Sequence, residues 1–314
     1  MATSGVLPVV DLAPFFTGDE GGMTRATEAM LEACRTLGFF RAVNHGMPAE
    51  LMTRALELSA AFFELPDDEK VKVRPVEGSQ APLTAGYGRH PVHLVDRYEY
   101  VRACHPRHGL NLYYPAETAG FREAMECYAK LTELGLLIQD ILNDCMGLPP
   151  GFLKDYNNDR CLDVMVALRY LPSTEEEKIG LSEHEDGSCI SFLFQDDVRG
   201  LEVLKDGHWI PAEPVHGSII VNIGDVLRVL SNNKLKSATH RVVRKPVHRH
   251  SFGFFWSIHG DKLIEPLPEF TAKIGEAPQY RGFLYNEYMQ KFMRSRTHPQ
   301  SRPEDSFNVS HYAI

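Results

Sequence analysis

The sequence predicts a chain of mixed α and β structure: a jelly-roll core flanked by helices, with a mixed α/β portion at the N-terminal side. Two observations carry this expectation. From about residue 161 to residue 258, short apolar runs are separated by turn residues, as in a strand-rich sandwich. On both sides of that region, apolar residues recur at three- and four-residue steps, as in helices with one buried face. No repeat, low-complexity tract or clean linker divides the 314 residues. The expectation is a single unit, with an N-terminal portion over 1–115, a core over about 160–265, and a C-terminal helix and tail over 280–314.

Taken in order, Leu7–Leu12 reads as a short strand. Residues 23–37 read as a helix, with Ala26, Met30, Ala33 and Leu37 in one stripe and Gly38 to end it. Phe39–Val43 reads as a strand and Asn44-His45-Gly46 as a turn. His45 has no carboxylate at ligand spacing and reads as structural. A helix follows Pro48, with Leu51, Ala55, Leu58 and Phe62 on one face, and Pro66 stops it. Asp67–Lys70 reads as a charged turn or short helix. Residues 75–92, with several Gly and Pro, read as an irregular loop. Phe121–Met146 is the longest helical pattern, ended by Gly147-Leu-Pro-Pro150. Strands follow at Val164–Tyr170 and Ile190–Phe194. Leu201–Ile210 reads as a hairpin with Asp206-Gly207 at its tip. Ser218–Ile223 is an apolar strand, followed by a short helix with Asp225 as its N-cap. Thr239–Arg244 and Ser251–Ile258 are two more strands, and about Gly282–Met293 is a final helix.

Composition bounds the partners. The net charge is −9 with a pI near 5.9, and no basic patch is available to follow a phosphate backbone. Nucleic acid is therefore not an expected partner. The basic run from Arg241 to Arg249 reads as a solvated strand edge. No apolar run approaches the roughly 20 residues needed to span a bilayer, so no membrane partner is expected. The six cysteines include no C-x-x-C, and no charged-then-apolar leader opens the sequence. Reduced thiols in a cytoplasmic monomer are expected. Cys189, close to the residues discussed next, reads as a small strand residue.

The chemistry centres on residues 184 to 251. In an extended strand, residues two apart share a face. His184 and Asp186 then aim an imidazole nitrogen and a carboxylate oxygen at one point. His240, returned by the fold, completes a three-donor facial set. Two His and one carboxylate leave open positions on an octahedral metal, the pattern of non-haem Fe(II) oxygenases. Zinc accepts the same donors, but zinc alone gives no role to Arg249 and Ser251. Those two share a strand face and offer a planar fork and a hydroxyl, suited to a carboxylate. A second H-x-D, His259-Gly260-Asp261, serves as a control: only His298 and His311 follow it, with no R-x-S behind either.

The order H-x-D, His, R-x-S resembles the 2-oxoglutarate/Fe(II)-dependent dioxygenases of the isopenicillin N synthase-like, mainly plant, group. Leu7-Pro-Val-Val-Asp-Leu12 resembles that family's opening strand. Ala33-Cys-Arg-Thr-Leu-Gly-Phe-Phe-Arg-Ala-Val-Asn-His-Gly46 resembles its helix-to-strand signature. Phe62-Phe-Glu-Leu-Pro66, Gly200-Leu-Glu-Val203 and Asp206-Gly-His-Trp209 also fit, so the likeness covers nearly the whole chain. It implies a core that is a distorted double-stranded β-helix. It implies Fe(II) on His184, Asp186 and His240, and 2-oxoglutarate as cosubstrate with its far carboxylate on Arg249 and Ser251. Dioxygen is the further reactant, and ascorbate an additional reductant. In similar enzymes the cosubstrate is decarboxylated to succinate and CO2 while a substrate C–H bond is hydroxylated, desaturated or closed into a ring. The family's substrates are small specialised metabolites and hormones.

The sequence departs from the family at one point. Where similar enzymes carry Asn-Tyr-Tyr-Pro, whose second Tyr often touches 2-oxoglutarate, this chain has Arg169-Tyr170-Leu171-Pro172. Leu171 takes the place of that Tyr, and the contact is expected to be lost. Arg169 is either a salt-bridged strand arginine or a second anion contact, and Tyr170 is a further candidate. Tyr87, Tyr98, Phe255 and Phe292 are candidates for a substrate pocket, with core packing as the alternative for each. Glu185 is expected to face away from the metal. Two other activities remain open at this level. One is a 1-aminocyclopropane-1-carboxylate oxidase, which shares the triad and R-x-S without using 2-oxoglutarate and which Leu193-Phe-Gln-Asp-Asp197 resembles. The other is a non-catalytic small-ligand binding protein on the same fold.

Overall fold

A computed structural model describes residues 6–74, 85–90, 95–104, 121–160, 162–297 and 307–314. The chain opens with β1 (Val9–Asp11), α1 (Ala13–Thr17), α2 (Glu20–Thr36) and β2 (Phe39–Val43). Asp19 caps α2 by accepting the Gly22 amide, so that helix starts three residues before the predicted boundary. Next come α3 (Ala49–Phe63), α4 (Asp67–Lys70), β3 (Gly86–Arg89), β4 (Tyr98–Cys104), α5 (Phe121–Met146) and α6 (Phe152–Tyr156). The strand-rich part holds β5 (Val164–Tyr170), β6 (Ile179–His184), β7 (Ile190–Gln195), β8 (Leu201–Lys205), β9 (His208–Pro211) and β10 (Ile219–Ile223). It continues with α7 (Asp225–Leu230), β11 (His240–Val243) and β12 (Arg249–Trp256). A small pair, β13 (Leu263–Ile264) and β14 (Phe283–Leu284), brackets α8 (Pro268–Ile274) before α9 (Tyr285–Thr297). Among the described residues no helix is long and apolar enough to cross a membrane.

Two sheets face each other. The larger runs β1-β2-β10-β7-β12-β5-β4-β3 and the smaller runs β6-β11-β8-β9. Alternation along the strands divides the core in two. Val164, Val166, Leu168 and Tyr170 of β5 point between the sheets with Leu201, Val203 and Val242. Met165 and Ala167 point the other way, into the layer that holds α2, α3 and α5. Helix α5 lies against that outer face at Gly135, where a Cβ would come within 2.4 Å of the Trp256 ring. The absent side chain is what lets the helix seat on the sheet. The β8–β9 hairpin turns through Asp206 (φ 49°) and Gly207 (φ 79°), the pair of positive φ values that the Asp-Gly dipeptide signals.

Three expectations need correction. Gly86–Arg89 is a strand inside the stretch read as loop, paired with β4; residues 75–84 and 91–94 lie outside the described residues. Helix α7 is capped by Gly224, not Asp225. A Cβ at Gly224 would stand 2.1 Å from the Ser188 carbonyl, so the chain turns there only with glycine, and Asp225 becomes the first helical residue. The basic run is also not a solvated edge. Arg244 is buried and donates to the carbonyls of Ile179, Pro172 and Glu177, closing the segment before β6.

Candidate active site

His184 is the last residue of β6 and His240 the first of β11, and the two stand directly opposite each other. The strand does not run on through Asp186, as a shared strand face would require. Asp186 sits in the following turn, where its carbonyl accepts the Asp225 amide at 2.7 Å. Its Oδ2 accepts from Asn222 Nδ2 of β10 at 2.8 Å, both groups being buried. The carboxylate is therefore aimed by the opposing sheet and not by its own strand. Oδ1 is left 3.6 Å from His184 Nε2 and 3.7 Å from His240 Nε2.

Both imidazoles are oriented by the same device. His184 Nδ1 lies 2.7 Å from the carbonyl of Ser182, and His240 Nδ1 lies 3.0 Å from that of Ala238, each two residues back. A carbonyl only accepts, so each Nδ1 carries a proton, and each Nε2 is the ring atom turned toward Asp186. Burial, with the charges of Arg296 and His240, holds His184 well below its ordinary value, so it stays a neutral imidazole. Two Nε2 atoms and a carboxylate oxygen thus converge on one point, an arrangement that fits a cation. Among the described residues this is the one such group of three. The control pair behaves otherwise: His259 lies 3.6 Å from Asp159, and its Nδ1 takes the Asp261 amide. Glu185, between the donors, accepts the Thr239 hydroxyl at 2.6 Å and so tethers the residue before His240.

Strand β6 is further steadied on its outer side. The Arg97 amide donates to the Gly180 carbonyl at 3.0 Å. Asp96 Oδ1 accepts both the amide and the hydroxyl of Ser182, the residue whose carbonyl orients His184.

Arg249 opens β12 and is 1% exposed. Its Nη2 donates to Gln195 Oε1 at 2.5 Å, its Nη1 lies 3.5 Å from Ser251 Oγ, and its Nε is buried without a partner. Burial pulls its pKa down. Among the described residues no carboxylate stands within ion-pair range of this guanidinium. A buried cation with a free donor and a neighbouring hydroxyl fits an incoming carboxylate.

Tyr170 pairs directly with Arg249, and the guanidinium carbon lies 5.0 Å from its ring centroid. The sequence put Leu171 in the position of the family's cosubstrate tyrosine, but the pleat of β5 aims Tyr170 toward Arg249 and Ser251. A phenol therefore stands beside the Arg249 guanidinium. Arg169, one residue earlier, faces the helix side. It donates to Glu99 Oε2 at 2.6 and 3.1 Å and to Glu64 at 2.7 Å, far from any anion site beside Arg249. Tyr87 is also directed elsewhere: it pairs with Val101, and its hydroxyl donates to Glu99 at 3.1 Å.

A cavity of about 140 Å³ opens beside the triad, between β4, β5, β12 and α9. Tyr98, Phe255 and Phe292 line it, together with Leu168, Met289, Arg102 and Arg296. Sequence reasoning missed Asn222, Gln195, Arg102 and Arg296. Asn222 had a signal, being the one polar residue in an otherwise apolar strand; the arginines had none.

Two family models match the chain: the 2OG-Fe(II) oxygenase superfamily over residues 162–258, and the N-terminal region of non-haem dioxygenases in morphine synthesis over residues 7–124. Flavanone 3-dioxygenase 2 of Oryza sativa subsp. japonica is 32% identical over 295 residues, covering 91% of this chain and 83% of that protein. Gibberellin 20 oxidase 2 of Oryza sativa subsp. indica is 33% identical over 313 residues, covering 96% and 79%. Among solved structures, JOX2 in complex with 2OG, Fe and JA superposes with a TM-score of 0.83 at 29% identity, over 98% of this chain and 89% of that one. The rice dioxygenase for auxin oxidation gives a TM-score of 0.79 at 25% identity, over 98% and 100%. A chain sharing 32–33% of its residues with such enzymes along more than nine-tenths of its length belongs among them: it is a member of the 2OG-Fe(II) oxygenase superfamily, an iron- and 2-oxoglutarate-dependent dioxygenase.

Proposed function

We propose that this dioxygenase hydroxylates or desaturates a small specialised metabolite or hormone, with His184, Asp186 and His240 holding Fe(II) and Arg249 with Ser251 holding the far carboxylate of 2-oxoglutarate. The observation that carries the assignment is the convergence of two Nε2 atoms and Asp186 Oδ1, with the buried guanidinium of Arg249, which has no carboxylate partner among the described residues, nearby. Bound iron and 2-oxoglutarate supply oxidative chemistry: one dioxygen is consumed, 2-oxoglutarate becomes succinate and CO2, and the substrate C–H bond is oxidised by two electrons. The chain's own residues position these reagents. Ser182 and Ala238 carbonyls fix the two imidazoles, and Asn222 fixes the carboxylate. Tyr170 adds a phenol beside the carboxylate fork. Tyr98, Phe255 and Phe292 give the substrate an apolar wall that excludes water. The relatives' substrates, flavanones and gibberellins among them, support a small organic substrate here. The five described cysteines are all free, which supports the reducing cytoplasm as location, and a monomer is the proposed state.

The test needs no substrate. Fe(II) and then 2-oxoglutarate are added to apoprotein without oxygen, and the visible spectrum is recorded for wild type and Arg249→Ala. A weak metal-to-ligand charge-transfer band in wild type, reduced in the variant at limiting 2-oxoglutarate, is the expected result. Iron bound with no band in wild type would refute the proposed cosubstrate site and favour the oxidase that dispenses with 2-oxoglutarate.

A further inference from the structure

Two arginines of the substrate cavity have no ion-pair partner among the described residues, although Arg296 also borders a pocket that holds Asp96, Glu183 and Glu185. Arg102 of β4 and Arg296 of α9 both line it. The Arg102 guanidinium lies 4.2 Å from the Tyr100 ring centroid, and that of Arg296 lies 5.9 Å from that of Phe292. Among the described residues neither makes an ion pair or a hydrogen bond. Asp186 is the one carboxylate among the described residues of the cavity wall, and the proposed iron claims it. Burial pushes the Tyr98 phenol up to about 12; the charge of Arg296 pulls it back, that of Asp96 pushes it up, and that of Arg102 pulls it back. Arg102 from the sheet and Arg296 from the helix thus line one cavity together with Tyr98.

The cosubstrate's fork does not account for them. Along β5, Arg249 stands opposite Tyr170 and Arg102 opposite Val166, four residues apart. At roughly 3.3 Å per strand residue, that is about 13 Å. Arg249 is not part of this cavity's wall, whose surface around Arg102 is apolar, with Val164, Val166, Leu168 and Phe255. Half-buried cations beside apolar surface gain most from a paired anion.

Building on the proposed function, we propose that the substrate is a small apolar carboxylic acid whose carboxylate is held by Arg102 and Arg296 and whose hydrocarbon body lies on the apolar wall toward the iron. A neutral substrate would leave both arginines as solvated bystanders.

The test compares carboxylic acids with their primary amides, which keep the shape and lose the charge. Protein loaded with Fe(II) and 2-oxoglutarate is titrated without oxygen by calorimetry. The probes are phenylacetic, trans-cinnamic, cyclohexaneacetic and 1-naphthaleneacetic acids and their amides. The expected result is at least one acid that binds about tenfold or more tighter than its amide, as for a charge-assisted contact. That preference should fall below about threefold in Arg102→Gln or Arg296→Gln, while Arg102→Lys keeps part of it. Because Arg296 is half-exposed, Arg296→Gln gives the answer should Arg102→Gln fold poorly. No binding by any acid, no preference over the amides, or a preference untouched in Arg296→Gln and in every folded variant would overturn the proposal. The charge-transfer band is recorded first. Its absence overturns the cosubstrate site and this inference with it; its presence without acid preference overturns this inference alone.

Discussion

Replacing Arg169 with alanine is expected to cost stability and leave the cosubstrate's affinity intact. Glu99 is fully buried, and two of its bonds come from Arg169, at 2.6 and 3.1 Å. The third Arg169 bond, to Glu64, contributes little because Glu64 is 69% exposed. Breaking a buried ion pair from one side costs about 3–5 kcal/mol. Arg89, Lys70 and Tyr87 remain near Glu99, so the lower end of that range applies. Unfolding entropy of about 2.1 cal/mol/K per residue over 314 residues gives about 0.66 kcal/mol/K, so 3 kcal/mol lowers Tm by about 4–5 °C. Burial alone would raise Glu99, but the bonds from Arg169 and Arg89 overturn it and lower its pKa. A lowered folded-state pKa stabilises above the unfolded value and is lost in acid, so the variant's deficit should shrink as the pH falls below the carboxylate range. Thermal unfolding and the 2-oxoglutarate dependence of succinate release measure the two quantities. A Michaelis constant for 2-oxoglutarate raised about tenfold, with Tm unchanged, would refute the reasoning and return Arg169 to the anion site.

Three further outcomes are expected. Asn222→Ala strips Asp186 Oδ2 of its donor and should weaken Fe(II) binding about 10- to 100-fold; anaerobic titration with equal affinity in both proteins would count against a metal at this triad. Tyr170→Phe removes the phenol beside Arg249 and should raise the half-saturating 2-oxoglutarate concentration about three- to tenfold; an unchanged value would mean that the hydroxyl does not reach the cosubstrate. Burial pushes the Asp163 carboxyl up to about 7, with Oδ2 unpartnered. Its folded-state pKa exceeds the unfolded value of 3.8, so the stability it contributes is complete below that value and is lost as the pH rises through about 7. Asp163→Asn should flatten the fall in stability over this window by up to about 1.4 kcal/mol per pH unit, read by denaturant unfolding at several pH values.

The fold was legible where periodicity was strong and local. Phe121–Met146 and Phe39–Val43 match the predicted bounds because a repeated apolar stripe and a turn dipeptide are properties of a few neighbouring residues. The three donors and the Arg249–Ser251 fork were legible from spacing. What escaped was what depends on distant pairing. Strand β4 owes its place to β5, and its own residues do not alternate cleanly. The reason that His184 and Asp186 meet was misjudged, because the carboxylate is aimed by Asn222 from another sheet. Tyr170 and Arg169 were assigned by position in a motif, whereas the pleat decides which of two neighbours faces Arg249.

Among the described residues strand β6 has β11 on one side only, so its other side would be an open edge. Open edges are templates on which a second chain adds itself. Here the Arg97 amide and the Asp96 carboxylate occupy that edge at Gly180 and Ser182. The contacts that steady an imidazole at the end of the strand also deny the strand to a neighbouring molecule. The orientation of His184 and the cover over this strand edge thus depend on the same short segment, Asp96-Arg97.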